Sequence, residues 1–505
     1  MNKANDFFSY INQGYKSNGD FITLGAGMLG EQTITDALVK IPLKTLNRHG
    51  LIAGATGTGK TKTLQILAEN MSEKGIPVLL MDIKGDLSGL AEPSLGHPKI
   101  EERHQKIGIP FNPTKFPVEI LSISEQEGVR LRATVSEFGP ILLSRILDLT
   151  ETQSGIVAII FKYCDDHKLP LLDLKDFKKL LQFITNEGKE ELQAEYGRIS
   201  SASTGAILRK IVAIEQQGGD LFFGEKSFEV DDLTRVDKNG RGVISILRLT
   251  DIQDKPQLFS TFMMQLLAEV YETFPEQGDS DKPELIIFID EAHLVFEQAS
   301  KALLNQIESI VKLIRSKGVG LYFVTQNPKD VPEDILAQLG MKIQHALRAF
   351  TAKDRKAIKL ASENYPDSEY YDTKEVLTQL GIGEALVSVL NEKGIPTPLA
   401  RTMLRAPMSR MGVLTDAEIK AVLNKSALIK KYNNTVDRES AYELLNQKID
   451  VINTQKNTEA DQQETKKISQ KATTRTSTRQ NPLIKVLTSA TFIRSVFGIL
   501  KKVLK

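Results

Sequence analysis

The sequence predicts an α/β fold with a mostly parallel β-sheet core, an inserted helical lobe and a C-terminal helical tail. Three observations support this prediction. A short apolar run, a helical stretch and a second apolar run follow one another between residues 50 and 82. Helical periodicity then dominates from about residue 87 to residue 240. Beyond it, short apolar runs again alternate with helices, which is typical of parallel strands covered on both faces.

The first strand, helix and second strand form a βαβ unit. Residues 50–54 are apolar and bounded by glycine, as expected for a buried strand. From Thr61 onward, apolar residues recur every three or four positions, and Gly75 and Pro77 mark the end of this helix. Residues 78–81 form the second apolar run, which ends at Asp82. A unit of this kind predicts neighbouring parallel strands.

Four further runs predict strands at residues 243–247, 285–289, 321–324 and 385–389, and the last is expected to close the sheet. The region from 453 to 480 is almost entirely polar and cannot bury enough apolar surface to fold, so it predicts a disordered linker. The expected organisation is therefore an N-terminal segment (1–48), a discontinuous core (49–99 and 241–410), a helical insertion (100–240), a helical extension (411–452), the linker (453–480) and a basic amphipathic helix (481–505).

Composition restricts the classes of function. The 505 residues include 65 Lys and Arg against 64 Asp and Glu, so any basic surface for nucleic acid must be local. Cys164 is the only cysteine, which excludes intrachain disulfides and multi-cysteine zinc sites and favours a reducing compartment. The N-terminus lacks the apolar core of a signal peptide, and no stretch of about 18 apolar residues is present. We therefore expect a cytoplasmic protein.

A glycine-rich motif between the first strand and the first helix of this βαβ unit is the strongest functional signal. It matches G-x-x-x-x-G-K-[ST] in full. Its glycines let backbone N–H groups surround phosphates, the lysine reaches the β- and γ-phosphates, and the final threonine binds Mg²⁺. The motif thus predicts a P-loop NTPase core that binds ATP through Gly54, Ala55, Thr56, Gly57, Thr58, Gly59, Lys60, Thr61 and, one turn into the helix, Thr63.

Asp290 and Glu291 directly follow the apolar run 285–289. A nucleotide hydrolase needs a carboxylate for Mg²⁺ and a group that activates water, both at the carboxyl edge of the sheet. We therefore expect Asp290 to serve Mg²⁺ together with Thr61, and Glu291 to be the general base. The alternative is that the two acids only cap the following helix.

Two further polar residues are candidates near the run 321–324. Gln326 follows this run and is expected to sense the γ-phosphate, unless it is only a turn residue before Pro328. Arg315 ends the preceding helix, where a cation is favoured by the helix dipole in any case. The functional alternative is an arginine finger that reaches the nucleotide of a neighbouring subunit.

Asp82 and Arg348 are weaker candidates. Asp82 ends the second strand, where it either approaches the nucleotide or caps its own loop. Arg348 follows the apolar run 343–347 and is a candidate phosphate sensor. His293 is most simply a residue that follows the acidic pair. No histidine has a partner at ligand spacing, so Mg²⁺ is the only metal expected.

Several segments together resemble the HerA–FtsK superfamily of RecA-like ATPases, and more narrowly its YjgR-like branch: HGLIAGATGTGKT, LLMDIKGDLSGL, LIIFIDEAH, GLYFVTQNP and LGIGEALVSVLNEKGIPTP. The resemblance covers roughly residues 41–410. It implies a RecA-like core, a homo-oligomeric ring (a hexamer by analogy) around a polymer that is commonly double-stranded DNA, and an arginine finger at Arg315. Because only about 45 residues precede the P-loop, the N-terminal β-barrel of HerA proper is not expected.

Two hypotheses about function follow. The first is a Mg²⁺-dependent ATP hydrolase acting as an oligomeric DNA translocase or helicase; its DNA part comes from the resemblance. The second is an ATP-gated switch or scaffold that controls a protein or membrane partner. The basic amphipathic helix expected at 481–505 allows binding to an anionic membrane, contact with nucleic acid or docking on the protein's own core.

Overall fold

The computed structural model describes residues 3–278, 280–298, 301–349, 351–434, 436 and 438–472. The chain divides into two units, Met1–Leu445 and Asn446–Lys505. None of the helices in the described ranges is both long and apolar enough to span a bilayer.

The strands in the described residues form one twelve-stranded sheet. They are β1 (Phe21–Leu29), β2 (Gln32–Pro42), β3 (Gly50–Ala53), β4 (Val78–Asp82), β5 (Val118–Ser122), β6 (Val129–Arg130), β7 (Ile244–Arg248), β8 (Leu285–Ile289), β9 (Val319–Thr325), β10 (Met341–Gln344), β11 (Glu384–Ser388) and β12 (Ala400–Leu404). Their order across the sheet is β2-β1-β12-β11-β10-β3-β9-β8-β4-β7-β5-β6. Neighbours from β10 to β6 are parallel, and those from β10 to β2 are antiparallel. The predicted α/β class with a mostly parallel sheet is confirmed.

The helices of the described residues are α1 (Lys3–Gly14), α2 (Lys60–Glu73), α3 (Pro98–Ile107), α4 (Val135–Ile146), α5 (Glu151–His167), α6 (Leu174–Thr185), α7 (Lys189–Tyr196), α8 (Ser201–Glu215), α9 (Gly219–Phe222), α10 (Pro256–Thr273), α11 (Ala292–Gln298), α12 (Lys301–Leu313), α13 (Glu333–Leu336), α14 (Ala352–Ser362), α15 (Thr373–Gln379), α16 (Asp416–Leu423), α17 (Ala427–Tyr432) and α18 (Ala441–Ala472). Helix α2 buries most of its residues, and every residue of β3, β4, β8 and β9 is buried. The sequences of these central strands are continuous apolar runs because both faces of the sheet are covered.

The N-terminal segment is part of the sheet, which the sequence analysis did not predict. Strands β1 and β2 form an antiparallel hairpin, and β1 pairs with β12. A Cβ on Gly25 would lie 1.9 Å from the Met403 carbonyl oxygen, so this close pairing requires glycine. Glycine is uncommon in strands, so Gly25 and the other glycines of this segment concealed β1 in the sequence. The predicted closing strand, now β11, is therefore an interior strand next to β12.

The insertion also contributes to the sheet. Within residues 100–240, helices α4 to α9 form the helical part, but β5 pairs with β7 and extends the parallel sheet. Strand β5 was not predicted from the sequence because Glu119 interrupts its apolar run. That carboxylate is buried and accepts a 2.7 Å hydrogen bond from Arg235, which satisfies its charge.

The predicted linker differs from the structure in its described part, because α18 continues to Ala472. Gln, Lys, Glu and Ala are good helix formers, so this stretch forms a helix without an apolar stripe to bury. Residues 473–480 of the predicted linker and the predicted basic helix 481–505 lie outside the described residues.

Candidate nucleotide-binding site

Four neighbouring parallel strands bring the predicted site residues to one edge of the sheet. Strand β9 lies between β3 and β8, and β8 pairs with β4 on its other side. In register, Ala53 pairs with Thr325, Phe323 with Ile289, and Ile289 with Met81. The residues that follow β3, β9 and β8, and the last residue of β4, therefore lie at the same carboxyl edge.

The glycine-rich loop joins β3 to α2 in a conformation that depends on its glycines. Gly54, Gly57 and Gly59 have φ angles of 155°, 78° and 112°, which L side chains rarely adopt. Lys60 is 5% exposed, and its ammonium donates hydrogen bonds to the carbonyls of Gly54 (2.7 Å) and Ala55 (3.2 Å). Burial, together with the nearby Lys84 ammonium, lowers the pKa of Lys60. Lys60 thus lies within the loop at the N-terminus of α2, where anions are favoured.

Strand β10 and the turn before β11 support this loop. The N–H of Ala55 donates to the Ala346 carbonyl at 2.8 Å, and the N–H of Gly383 donates to the Thr58 carbonyl at 3.1 Å. A Cβ on Gly54 would lie 2.5 Å from the Cβ of His345. The loop is therefore packed against neighbouring backbone, and its glycines are needed for close approach as well as for φ.

Thr63, which we expected among the nucleotide-binding residues, contacts protein instead. Its hydroxyl is 2.8 Å from Nε2 of His345, and the residue is 1% exposed. Burial and the charge of Lys60 lower the pKa of His345 to about 4, so this ring is neutral at pH 7. The pair joins α2 to the residue that follows β10.

Asp290 and Glu291 follow β8 and are both buried. Burial raises the pKa of Asp290 to about 7, which the charge of Lys84 partly opposes. Its Oδ2 atom is buried and accepts no hydrogen bond from the described residues. Glu291 has a φ of 47°, an uncommon left-handed conformation for a residue other than glycine. Both features are typical of functional positions, where strain and unsatisfied groups are concentrated.

Two cationic or titratable side chains contact the Glu291 carboxylate. The Lys84 ammonium forms an ion pair with Oε1, and Nδ1 of His293 lies 3.1 Å from Oε2. Although burial opposes it, the hydrogen bond to Glu291 and the charge of Asp290 raise the pKa of Lys84. His293 is therefore more than a residue that follows the acidic pair.

Asp82 organises the loop that follows β4. Its carboxylate accepts hydrogen bonds from the N–H groups of Gly85 (2.7 Å), Asp86 (3.2 Å) and Leu87 (3.2 Å). This is the loop-capping alternative of the sequence analysis. Burial raises the pKa of Asp82 to about 6.

An acidic cluster also forms at this edge. One carboxylate oxygen from each of Asp82, Asp86 and Asp290 lies within 4.8 Å of the others. Asp86 Oδ1 and Asp290 Oδ2 are buried without a hydrogen-bond partner in the described residues. Oxygen donors that lack partners fit the preference of Mg²⁺ for carboxylate ligands.

Gln326, Arg348 and Arg315 lie on the surface at different places. Gln326 follows β9 and Arg348 follows β10, so both are exposed at the carboxyl edge. Arg315 precedes β9 in the 3₁₀ turn Ile314–Lys317 and lies at the opposite, amino edge. The seven residues of β9 put about 20 Å between the two edges. Arg315 lines a cleft of about 500 Å³ with Arg48, Lys312 and Lys342.

Three residues near the site received no role in the sequence analysis: Lys84, Asp86 and His345. Lys84 and Asp86 follow β4, and the sequence does not show that β4 lies beside β8. Loops at the carboxyl ends of parallel strands commonly carry binding residues, and this general rule could have pointed to both. His345 follows β10, a strand of four residues that had not been placed beside β3. Strand order was the missing information.

A strand–loop–helix phosphate motif on the same sheet edge as two buried acids defines a P-loop ATPase. The chain belongs to the Helicase HerA-like C-terminal family, whose family model matches residues 28–497. It is 23% identical over 377 residues to the DNA double-strand break repair helicase HerA of Sulfolobus acidocaldarius, covering 73% of this chain and 68% of that protein. With the protein of the same name from Saccharolobus solfataricus it shares 26% over 358 residues, covering 69% and 63%. The alignments thus span about two thirds of these relatives.

Solved structures show the same fold. The bacterial conjugative coupling protein TrwBdeltaN70 matches with a TM-score of 0.51 and 15% identity, over 81% of this chain and 94% of that one. The plasmid coupling protein TrwB in complex with ADP and Mg²⁺ matches with a TM-score of 0.50 and 16% identity, over 80% and 100%. The resemblance to HerA–FtsK ATPases inferred from the sequence motifs is confirmed.

Proposed function

We propose that this protein is a Mg²⁺-dependent ATP hydrolase that acts on DNA as an oligomeric ring motor. The observation that supports it most directly is that Lys60, which follows β3, and Asp290 and Glu291, which follow β8, lie at the same carboxyl edge of the sheet. Phosphoryl transfer requires positioning and charge stabilisation more than covalent chemistry, and these residue types supply both.

Each residue has a distinct task in this proposal. The backbone N–H groups of the glycine-rich loop and the Lys60 ammonium bind the phosphates of ATP. Glu291 accepts a proton from the attacking water, and Gln326, exposed at the end of β9, orients towards the γ-phosphate. Arg348 is a further candidate for phosphate contact at the same edge.

Mg²⁺ would neutralise charge that develops on the phosphate oxygens. Thr61 and Asp290 would hold it, and the unpartnered oxygens of Asp290 and Asp86 support a cation at this place. Because burial raises the pKa values of Asp82 and Asp290 to about 6 and about 7, a cation here also favours their ionised forms.

DNA as the polymer is proposed from the relatives, two of which are named DNA double-strand break repair helicases. A ring is supported by the position of Arg315, which lies about 20 Å from the P-loop edge of its own chain. An arginine there reaches a nucleotide only on a second copy. A hexamer by family analogy and a cytoplasmic location remain proposals of the sequence analysis.

A second candidate is an ATP-gated switch that controls a protein or membrane partner. Contacts between α2 and the segment 405–411 favour it. Lys62 donates to the Met411 carbonyl at 2.6 Å, Gln65 donates to the Ser409 hydroxyl at 2.6 Å, and Glu69 accepts from the N–H of Met408 at 2.8 Å. This segment leads to α16, so movement of the P-loop helix would be transmitted to the C-terminal extension.

Steady-state ATP hydrolysis with increasing double-stranded DNA, at two salt concentrations, separates these candidates. Glu291→Gln protein is the blank. Stimulation of several-fold that weakens with salt supports the motor, because phosphate contacts release counterions. Hydrolysis that is indifferent to DNA contradicts the motor and favours the switch. Retained turnover by the Glu291→Gln protein contradicts the assignment of the base.

A further inference from the structure

The loop after β4 has a fixed shape that directs Lys84 towards β8. The Asp82 carboxylate accepts hydrogen bonds from the backbone of Gly85, Asp86 and Leu87. Gly85 has a φ of 77°, and a Cβ there would lie 2.7 Å from the Cγ2 atom of Thr250. The backbone position of Lys84 is therefore fixed by the hydrogen bonds of this loop, in addition to the contacts of its own side chain.

The ion pair between Lys84 and Glu291 joins two neighbouring strands. The Glu291 side chain is 5% exposed and that of Lys84 is 38% exposed. Removing the cation from a buried ion pair leaves an uncompensated charge, so the Lys84 ammonium stabilises the Glu291 carboxylate at this place. Glu291 also has a left-handed backbone, which persists only where the surroundings hold it.

We propose that Lys84 is a positioning residue for ATP hydrolysis, whose ammonium holds the Glu291 carboxylate in the orientation from which it accepts the proton of water. This inference rests on the proposed function, in which Glu291 is the general base. The Lys84 ammonium contacts a Glu291 oxygen, so Lys84 acts on hydrolysis through Glu291. Direct contact with phosphate is the alternative that the experiments below distinguish. Nδ1 of His293 lies 3.1 Å from the other oxygen of Glu291.

The test compares Lys84→Met, Lys84→Gln and Lys84→Arg in the full chain. We expect Lys84→Met and Lys84→Gln to lower kcat between about tenfold and about a hundredfold, the cost of a misplaced catalytic group. The KM for ATP and the affinities for fluorescent ATP and ADP analogues should not change. Lys84→Arg should restore most of the rate. The control is Lys106→Met, which removes a surface ion pair with Glu102 on α3.

A second comparison uses the Glu291→Gln background. If Lys84 acts through Glu291, adding Lys84→Met to Glu291→Gln gives no further loss of turnover. Selective loss of ATP affinity over ADP affinity in that background would show contact with the γ-phosphate and overturn the proposal. An unchanged kcat in folded Lys84→Met and Lys84→Gln proteins, checked by thermal unfolding, would also overturn it.

The assignment of Glu291 as the base and the role of Lys84 are tested by different results. If Glu291→Gln alone retains turnover, the base itself is wrongly assigned. If Glu291→Gln loses turnover and the Lys84 variants do not, only the role of Lys84 is wrong.

Discussion

Lys60 and Glu291 lie at the same sheet edge, but we expect substitutions of the two residues to impair different steps, ATP binding and ATP hydrolysis. Lys60→Ala removes the cation of the P-loop and should abolish ATP binding. Glu291→Gln keeps the size of the side chain but removes the base, so it should bind ATP and hydrolyse it at least about a hundredfold more slowly. Binding of a fluorescent ATP analogue and phosphate release measure the two effects separately.

A matched control for these variants is Glu102→Gln, which makes the same chemical change at an exposed side chain of helix α3. It should leave both binding and turnover unchanged. Equal loss of ATP binding in Glu291→Gln and Lys60→Ala would contradict the division of roles, because a base is not needed to bind the substrate.

His49 makes folding stability depend on pH. Its ring is buried; Nδ1 accepts a hydrogen bond from the N–H of Leu321 (3.0 Å), so Nε2 carries the proton and donates to the Val311 carbonyl (2.7 Å). Burial lowers the pKa of His49 from 6.5 to about 4. As pH falls, His49 is therefore protonated in the unfolded chain at a higher pH than in the folded protein. Between pH 6.5 and pH 4 this lowers the free energy of unfolding by about 3 kcal/mol.

His49→Gln tests this dependence by urea unfolding between pH 8 and pH 4.5. At pH 8 the variant loses only the contacts of the ring. As pH falls through 6.5, the difference in free energy of unfolding between the two proteins should shrink. Asp82 and Asp290 have raised pKa values and act in the opposite direction, but they do so in both proteins. A difference that is constant with pH would contradict the neutral assignment of His49.

At the scale of elements, one buried carboxylate makes several of the contacts between α2 and the segment 405–411. Glu69 accepts hydrogen bonds from the N–H groups of Met408 (2.8 Å) and Ser409 (2.9 Å), and also from the Ser409 hydroxyl. Glu69→Ala leaves these donors buried without an acceptor. We expect it to lower the free energy of unfolding by about 1–3 kcal/mol or more.

The control on the same helix is Glu73→Ala. Glu73 is exposed at the end of α2, so this change should cost no more than about 0.5 kcal/mol. Urea unfolding of both variants at pH 8 measures the contrast. Similar losses for the two variants would show that the segment 405–411 does not depend on Glu69.

Among the elements, the sequence predicted those with continuous apolar runs. Residues 285–289 coincide with β8, and β4 and β9 differ from prediction by one to two residues at their ends. Six strands of the described residues were missed. Two of them, β6 and β10, are only two and four residues long. The other four are β1, β2, β5 and β12. Each has polar or glycine residues in its run, because its position near the sides of the sheet leaves it partly exposed or tightly paired.

The candidate site was predictable where a local motif specifies chemistry. The P-loop and Asp290–Glu291 follow from spacing alone, because a strand end is recognisable within a few residues. The partners of these residues were not predictable. Lys84 contacts Glu291 from a loop more than two hundred positions earlier in the chain, and His345 contacts Thr63 from β10. Such contacts depend on strand order, which one sequence does not specify.

At the scale of the whole molecule, the two edges of the sheet have different chemistry. The P-loop and the buried acids lie at the carboxyl edge, and Arg315 lies with Arg48, Lys312 and Lys342 at the amino edge. A contact between the carboxyl edge of one copy and the amino edge of the next is heterologous, and a heterologous contact forms a ring when its rotation closes. The cationic edge would then face the phosphates held by a neighbour.

Mixing two inactive variants tests this arrangement. Arg315→Ala should bind ATP and form oligomers normally but hydrolyse ATP more slowly, because its P-loop lacks a neighbour's arginine. Lys60→Ala should not bind ATP but keeps Arg315. In a mixed ring, an intact P-loop of an Arg315→Ala subunit lies beside the arginine of a Lys60→Ala subunit, so some activity should return. Turnover measured against the mixing ratio should therefore pass through a maximum. If turnover shows no maximum, the Lys60→Ala subunit does not supply its arginine to the site of an Arg315→Ala subunit. Arg315 then has only a structural role at the end of its helix.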